Sequence, residues 1–183
     1  MSETKAPPPT SVDALSEFHG PDLSDLCDAA EAAIADGGGF GWVKKPPRHI
    51  MEAYWKGVLL VPDRHLFVAR LEGTIAGSAI LVRPPRNNEA QAFAAQLSGA
   101  FIAPWARGHG LSRRLIERVE DGARALGVQV LNLDVRESQK AAIQIFESLG
   151  YRRWGTHPAY ARVGGQAISG YYYWKPLTPE AAR

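Results

Sequence analysis

One stretch constrains the fold more than any other, the run from Ala100 to Leu126. It opens on a short apolar segment, Ala100-Phe101-Ile102-Ala103, with the character of a strand end. Pro104 stops that strand, because proline has no N–H to give to a ladder. A turn carrying Arg107, Gly108 and Gly110 comes next, followed by a long amphipathic segment. Leu111, Leu115, Val119 and Leu126 recur on one face, while Arg113, Arg114, Glu117, Arg118, Glu120, Asp121 and Arg124 lie mostly off it. The period predicts a helix with one buried stripe.

A glycine turn that feeds a helix N-terminus is a device for holding phosphate. The first helical turn has unpaired N–H groups at the positive end of the macrodipole. Glycines let the backbone approach an anion and let successive N–H groups converge on it. Arg107 and Arg113 add charge. Two familiar phosphate motifs are excluded. The chain has no G-x-x-x-x-G-K-[ST], and Arg113 stands where G-x-G-x-x-G needs its third glycine.

The chain has 183 residues, 45% of them hydrophobic and 22% charged, which suits one domain with a real core. A net charge of +2 gives no case for nucleic-acid or membrane attraction. The single cysteine, Cys27, excludes an internal disulfide. It falls among Leu23, Leu26, Ala30 and Ile34 and reads as a small buried hydrophobe. The start of the chain lacks a signal-peptide core, and no apolar run reaches spanning length, so a cytoplasmic protein is expected. No metal site is expected.

Residues 1–20 are expected to be disordered or weakly ordered, with a poor first strand somewhere in 11–19. One domain is expected over 21–177, and a tail over 178–183. Pro21 to Asp36 reads as a helix, and Gly37 to Trp42 as a mobile loop with two large aromatics. A second helix starts at Pro46-Pro47, with Ile50, Met51 and Tyr54 on one side. From His65 the period becomes two: strands at Leu66–Arg70 and Thr74–Val82 flank a Glu72-Gly73 turn. A third strand is expected over Gln91–Ala103. Val128 to Val135 is nearly all apolar, as an interior strand beside a crossover helix should be. Ser138 to Leu149 is a further helix. Tyr151–Thr156 and Tyr171–Lys175 are strands joined by a loop from His157 to Ser169.

This order mixes antiparallel hairpins with one parallel crossover around the phosphate turn. It resembles the fold of the GNAT superfamily of acyl-CoA-dependent N-acyltransferases. Residues Arg107 to Ser112 are similar to that family's pyrophosphate motif R-x-x-G-x-[GA], with Ser112 at the last place. Residues Gln139 to Tyr151 are similar to its N-x-x-A-[IL]-x-[LI]-Y-E-x-L-G-[FY]. The implied fold is α/β of the α+β kind, a mostly antiparallel mixed sheet flanked by helices.

The resemblance implies that acetyl-CoA wedges between two splayed strands, here 91–103 and 128–135. Pantetheine amides would pair with the backbone of Phe101, Ile102 and Ala103. The Ile102 N–H would polarise the thioester carbonyl and stabilise the oxyanion formed on amine attack. Arg107, Gly108, His109, Gly110, Leu111 and Ser112 would hold the pyrophosphate. A neutral amine would attack directly, with no covalent enzyme intermediate.

The family's acid and base do not carry over. Its tyrosine is Phe146 here, its pantetheine-bonding asparagine is Gln139, and the carboxylate often found before the phosphate turn is Gln96. Tyr160 and His157 in the loop before the last strand, and Tyr171, Tyr172 and Tyr173 in that strand, are the substitutes. Tyr160 and Tyr173 are the catalytic candidates, beside the alternative that each tyrosine only packs. Glu52 and Glu89 are possible bases by location. Asp134, alone on an apolar strand, either orients an amine or satisfies local backbone donors, and the second is preferred. Phe40, Trp42, Tyr54, Trp55, Tyr160 and Tyr171 to Trp174 suggest an aromatic-walled pocket, with core packing as the alternative. The end of the chain is similar to the C-terminal hairpin of tabtoxin-resistance-type acetyltransferases.

The expectation is an acetyl-CoA-dependent N-acetyltransferase acting on a small-molecule amine, with no nucleic-acid or membrane partner and a homodimer left open. A protein or peptide acetyltransferase and a silent acyl-CoA-binding module stay open too.

Overall fold

The structure is a computed structural model, and it describes residues 6–38, 40–179 and 181. Seven strands form one sheet: β1 (Thr10–Leu15), β2 (Arg64–Leu71), β3 (Thr74–Val82), β4 (Ala94–Ile102), β5 (Val130–Arg136), β6 (Arg152–Val163) and β7 (Gln166–Pro176). Their order across the sheet is β1-β2-β3-β4-β5-β7-β6. Every neighbouring pair is antiparallel except β4 and β5, which are parallel. The helices are α1 (Asp22–Ala35), α2 (Arg48–Leu60), α3 (Leu111–Ala125) and α4 (Lys140–Ser148).

The apolar stripes divide the helices between the two faces of the sheet. Leu26, Cys27, Ala30 and Ile34 of α1 and Met51, Trp55 and Val58 of α2 bury against Leu66, Val68, Ile75 and Ile80. On the other face Leu111, Leu115, Ile116 and Val119 of α3 and Phe146 of α4 pack on Phe67, Leu97, Leu131, Leu133 and Tyr173. Cys27 is fully buried, and burial pushes its thiol up to about 11, so it stays a protonated hydrophobe. Helix α2 turns differently from the expected face. Ile50 is exposed and Trp55 is wholly buried, because α1 approaches along the Met51–Trp55–Val58 line. Arg48 fixes that approach through Asp28, Glu31, Glu52 and the Ser24 carbonyl.

The poor first strand expected within 11–19 is β1, whose six residues pair in register with Leu66–Leu71, while the expected disorder of residues 1–5 lies outside the described residues. A strand this polar is held by its neighbour's ladder rather than by its own burial pattern. One other expectation is corrected. The expected loop from His157 to Ser169 is instead most of a long β-ribbon. Gly164 and Gly165 turn it, both at positive φ (57° and 81°), as a tight hairpin turn with the right twist requires. The run was hidden because Pro158 and a bulge between His157 and Ala161 break its alternation.

Candidate active site

Strands β4 and β5 pair only at their starts, Ala94–Val130, Ala95–Leu131 and Gln96–Asn132. Beyond Gln96 they separate while each continues, β4 to Ile102 and β5 to Arg136. The cause lies on the other edge of β4. The β3–β4 register shifts between Ser78 and Ile80, opposite Gly99, whose φ is 59°. The buried Ser78 hydroxyl donates to the Gly99 carbonyl at 3.3 Å and takes up an oxygen the bulge frees. A bulge bends its strand, and this one bends β4 away from β5.

Alternation decides which backbone groups face the gap. The Ala103 N–H donates to the Ala76 carbonyl at 2.7 Å, so Ala103 is turned toward β3. Strand geometry then turns Phe101 toward β3 as well, and Ile102 toward the gap. Of the three residues expected to pair with pantetheine, Ile102 alone presents its N–H and C=O there. Phe101 is turned to β3, and Ala103 spends its N–H on the Ala76 carbonyl and its own carbonyl on the Ala106 N–H, which corrects their assignment. Gly77 makes the close approach possible: a Cβ there would overlap the Phe101 carbonyl oxygen and lie 3.0 Å from the Ile102 Cα.

At the mouth of the gap, Gly108 and Gly110 have φ of 83° and 71°, conformations that glycine takes without strain. Gly110 caps α3 with no side-chain acceptor on the first N–H groups of the helix. The Leu111 side chain is buried in the core, so only its backbone is offered to a ligand. Ser112 follows in the first turn, and His109 stands exposed between the two glycines. Arg107 pairs with Asp36 at 2.7 Å, and the Gln139 amide donates to the Gly37 carbonyl at 2.9 Å. The segment after α1 therefore bridges from the glycine turn to the start of α4.

The sheet separates the two tyrosine candidates. Tyr173 is wholly buried on the α3–α4 face, and its hydroxyl donates to Glu147 at 2.8 Å. Burial, then that bond, pushes it up to about 12. It is a packing residue, which corrects its catalytic assignment. Phe146 lies on the same face, edge-on to Tyr151, and has no proton to give. Tyr160 projects on the opposite face. The β6 bulge aims its ring over Gly170, where any Cβ would overlap it. Its hydroxyl donates to Asp134 Oδ2. Gln96 Nε2 donates to Asp134 Oδ1 at 2.9 Å. Asp134 therefore serves two side chains, Gln96 from the adjacent β4 and Tyr160 from β6 across β7, not the local backbone donors expected. Burial and then the Asp134 bond hold the Tyr160 phenol above its ordinary range, so it stays a donor.

The other candidates fall away. Glu52 is engaged by Arg48, and Glu89 precedes β4 at the paired end of the strands, away from Ile102. His157 Nδ1 accepts the Ala159 N–H at 3.1 Å. The aromatic wall is mostly core. Phe40 stacks on Phe101 with centroids 4.7 Å apart, and Trp42, Tyr54 and Trp55 continue edge to face. Trp42 alone of them borders a small cavity, with Gly37, Val43, Arg136 and Val163. Arg136 went unnoticed in the sequence, where a basic residue ending a strand looks like any solvated one.

A family model, the acetyltransferase (GNAT) family, matches residues 28–151. The chain belongs to the GNAT acetyltransferases. Over 130 residues it is 63% identical to an uncharacterized N-acetyltransferase in a hisH-hisA intergenic region of Azospirillum brasilense, covering 71% of this chain and 77% of that one. It is 33% identical over 107 residues to the N-alpha-acetyltransferase RimI of Mycobacterium tuberculosis, 58% of this chain and 64% of that one. A GNAT superfamily phosphinothricin acetyltransferase from Sinorhizobium meliloti, solved in complex with AcCoA, superposes with a TM-score of 0.74 at 19% identity, over 92% of this chain and 88% of that one. The expected fold and the expected enzyme class both hold. No helix among the described residues is long and apolar enough to cross a membrane.

Proposed function

We propose that this chain transfers an acetyl group from acetyl-CoA to the primary amine of a small molecule. The observation that carries it is the β4–β5 gap, with the Ile102 N–H aimed into it and a glycine turn at its mouth. Acetyl-CoA supplies an activated acetyl thioester. The Gly108–Ser112 backbone and Arg107 would hold the pyrophosphate, once Arg107 leaves Asp36. The Ile102 N–H faces the place where negative charge gathers on oxygen, a donor fixed in advance. Asp134 is the exposed carboxylate beside the gap and takes the proton of the incoming ammonium. The freed nitrogen pair forms the C–N bond, the adduct nitrogen gives up its second proton to solvent, the C–S bond breaks, and sulfur leaves with the electrons and takes a proton from solvent. In this reading the base has moved from the Gln96 position on β4 to Asp134 on β5. Gln96 and Tyr160 hold it in place.

The similarity to RimI raises a protein N-terminus as a second acceptor. The groove such a peptide needs is narrowed here. The segment after α1 is tied to Arg107 and Gln139, and Phe40 covers Phe101. That favours a small amine.

Thermal denaturation with acetyl-CoA, CoA, ATP and NAD tests the reading, with Arg107→Glu alongside. A ligand at a hundred times its Kd adds about 2.7 kcal/mol to the native state. Both CoA species should raise the Tm, NAD should not, and Arg107→Glu should lose the shift. Thiol release should then follow with small amines and not with peptides. No shift at millimolar CoA would overturn the proposal.

A further inference from the structure

We infer that the acceptor is a small amino acid, its ammonium held at Asp134 and its carboxylate at Arg136. The inference rests on the acetyl-transfer reading and names the substrate class for that site. Asp134 and Arg136 are two apart on β5, so they share one face about 7 Å apart along the strand. Both stand on the side opposite α3 and α4. Asp134 meets Gln96 and Tyr160 there, and Arg136 borders the cavity with Gly37, Trp42, Val43 and Val163. Tyr160 lies between them: its ring covers Gly170, the register partner of Arg136, and its hydroxyl reaches Asp134. A carboxylate and a guanidinium are thus set side by side at the open end of the gap.

The charges suit this role. Among the described residues, no carboxylate lies within 4.0 Å of the Arg136 guanidinium; the partly buried Arg83 and Arg118 share that state, but of the three only Arg136 borders the cavity beside Trp42. A partly buried guanidinium favours a planar anion that accepts two parallel bonds, which a carboxylate provides. The cavity beside it holds about 40 Å³, room for a carboxylate rather than for a chain of residues. A peptide N-terminus offers an ammonium but has an amide where the carboxylate should be, and would leave Arg136 unanswered.

The test starts with calorimetric titration of acetyl-CoA into the wild type and Arg136→Gln. Both should bind it with the same Kd within about twofold, since Arg136 lies outside the pyrophosphate turn. Thiol release is then followed across the common amino acids, each beside its carboxamide and its decarboxylated amine. At least one amino acid should exceed its two analogues tenfold or more in kcat/KM. Arg136→Gln should erase that preference chiefly through KM, and Arg136→Lys should restore part of it. Equal rates for acid and amide, a preference that survives Arg136→Gln, or turnover confined to peptides would each overturn the inference and leave acetyl transfer standing. A wild type that does not bind acetyl-CoA would remove the underlying reading instead.

Discussion

The hydroxyl of the buried Tyr173 ends on the exposed Glu147 at the edge of the core, and that of Tyr160 ends on Asp134 at the open gap. The side chains are identical, and the face of the sheet decides what each can do. For Tyr173 the consequence is alkaline stability. An unfolded tyrosine ionises near pH 10, while the folded one is held up to about 12. A raised pKa means its contribution is complete below pH 10 and is lost as pH rises toward 12. Urea unfolding from pH 8 to pH 12 should show stability falling across that window. The share from this residue approaches ~1.4 kcal/mol per pH unit. Tyr173→Phe should flatten that share, and an unchanged slope would mean the ring is not where its buried environment indicates. Asp134 shows how far single residues were legible. A lone carboxylate on an apolar strand is visible in the sequence, but its partners stand 38 and 26 residues away. No local pattern joins them.

The elements that carry the site are the ones whose irregularity matters. Strand β4 is readable as a strand, yet its function depends on the Gly99 bulge that parts it from β5. Gly77 sits across from the far side of that bulge, where β3 comes closest to Ile102. Gly77→Ala should push β4 outward and move the Ile102 N–H. The expected cost is about 2 kcal/mol of stability by overpacking. The larger effect should be on acetyl transfer, because a displaced donor no longer meets the developing charge. Urea unfolding and initial rates on the same preparation check it. A loss of stability with full activity would show that β3 yields instead of β4. The β6–β7 ribbon teaches a similar lesson. Its bulge concealed it from a period-two reading, and the same bulge sets Tyr160 over Gly170.

At the scale of the whole molecule, β4 and β5 pair at only three positions, and a buried ion pair joins α3 to β7. Glu120 of α3 is 3% exposed, and Lys175 of β7 donates to both its oxygens at 2.7 Å, with Arg124 at 3.4 Å. This ties α3, the helix behind the Arg107–Ser112 turn, to the strand beyond β5. Lys175→Met should leave a buried carboxylate under-paired and cost about 3 kcal/mol, read as a lower urea midpoint. The double variant Glu120→Gln with Lys175→Met should recover much of that loss. If the single variant is neutral, Arg124 is sufficient to neutralise Glu120.

The sequence by itself determined most of the elements, the family and the glycine turn before α3. Helical and strand periods, prolines, and glycines that need positive φ are local properties, and they read correctly for α1, α3, α4, β2, β3 and the Arg107–Ser112 turn. The tertiary structure alone decided which groups face the gap. Whether the N–H of Ile102 or that of Phe101 points inward depends on the pairing of Ala103 with Ala76. Whether Asp134 is lone or supported depends on strands brought together from three parts of the chain. Backbone direction in a sheet is set by the partner strand, and a residue does not carry that information before the partner arrives.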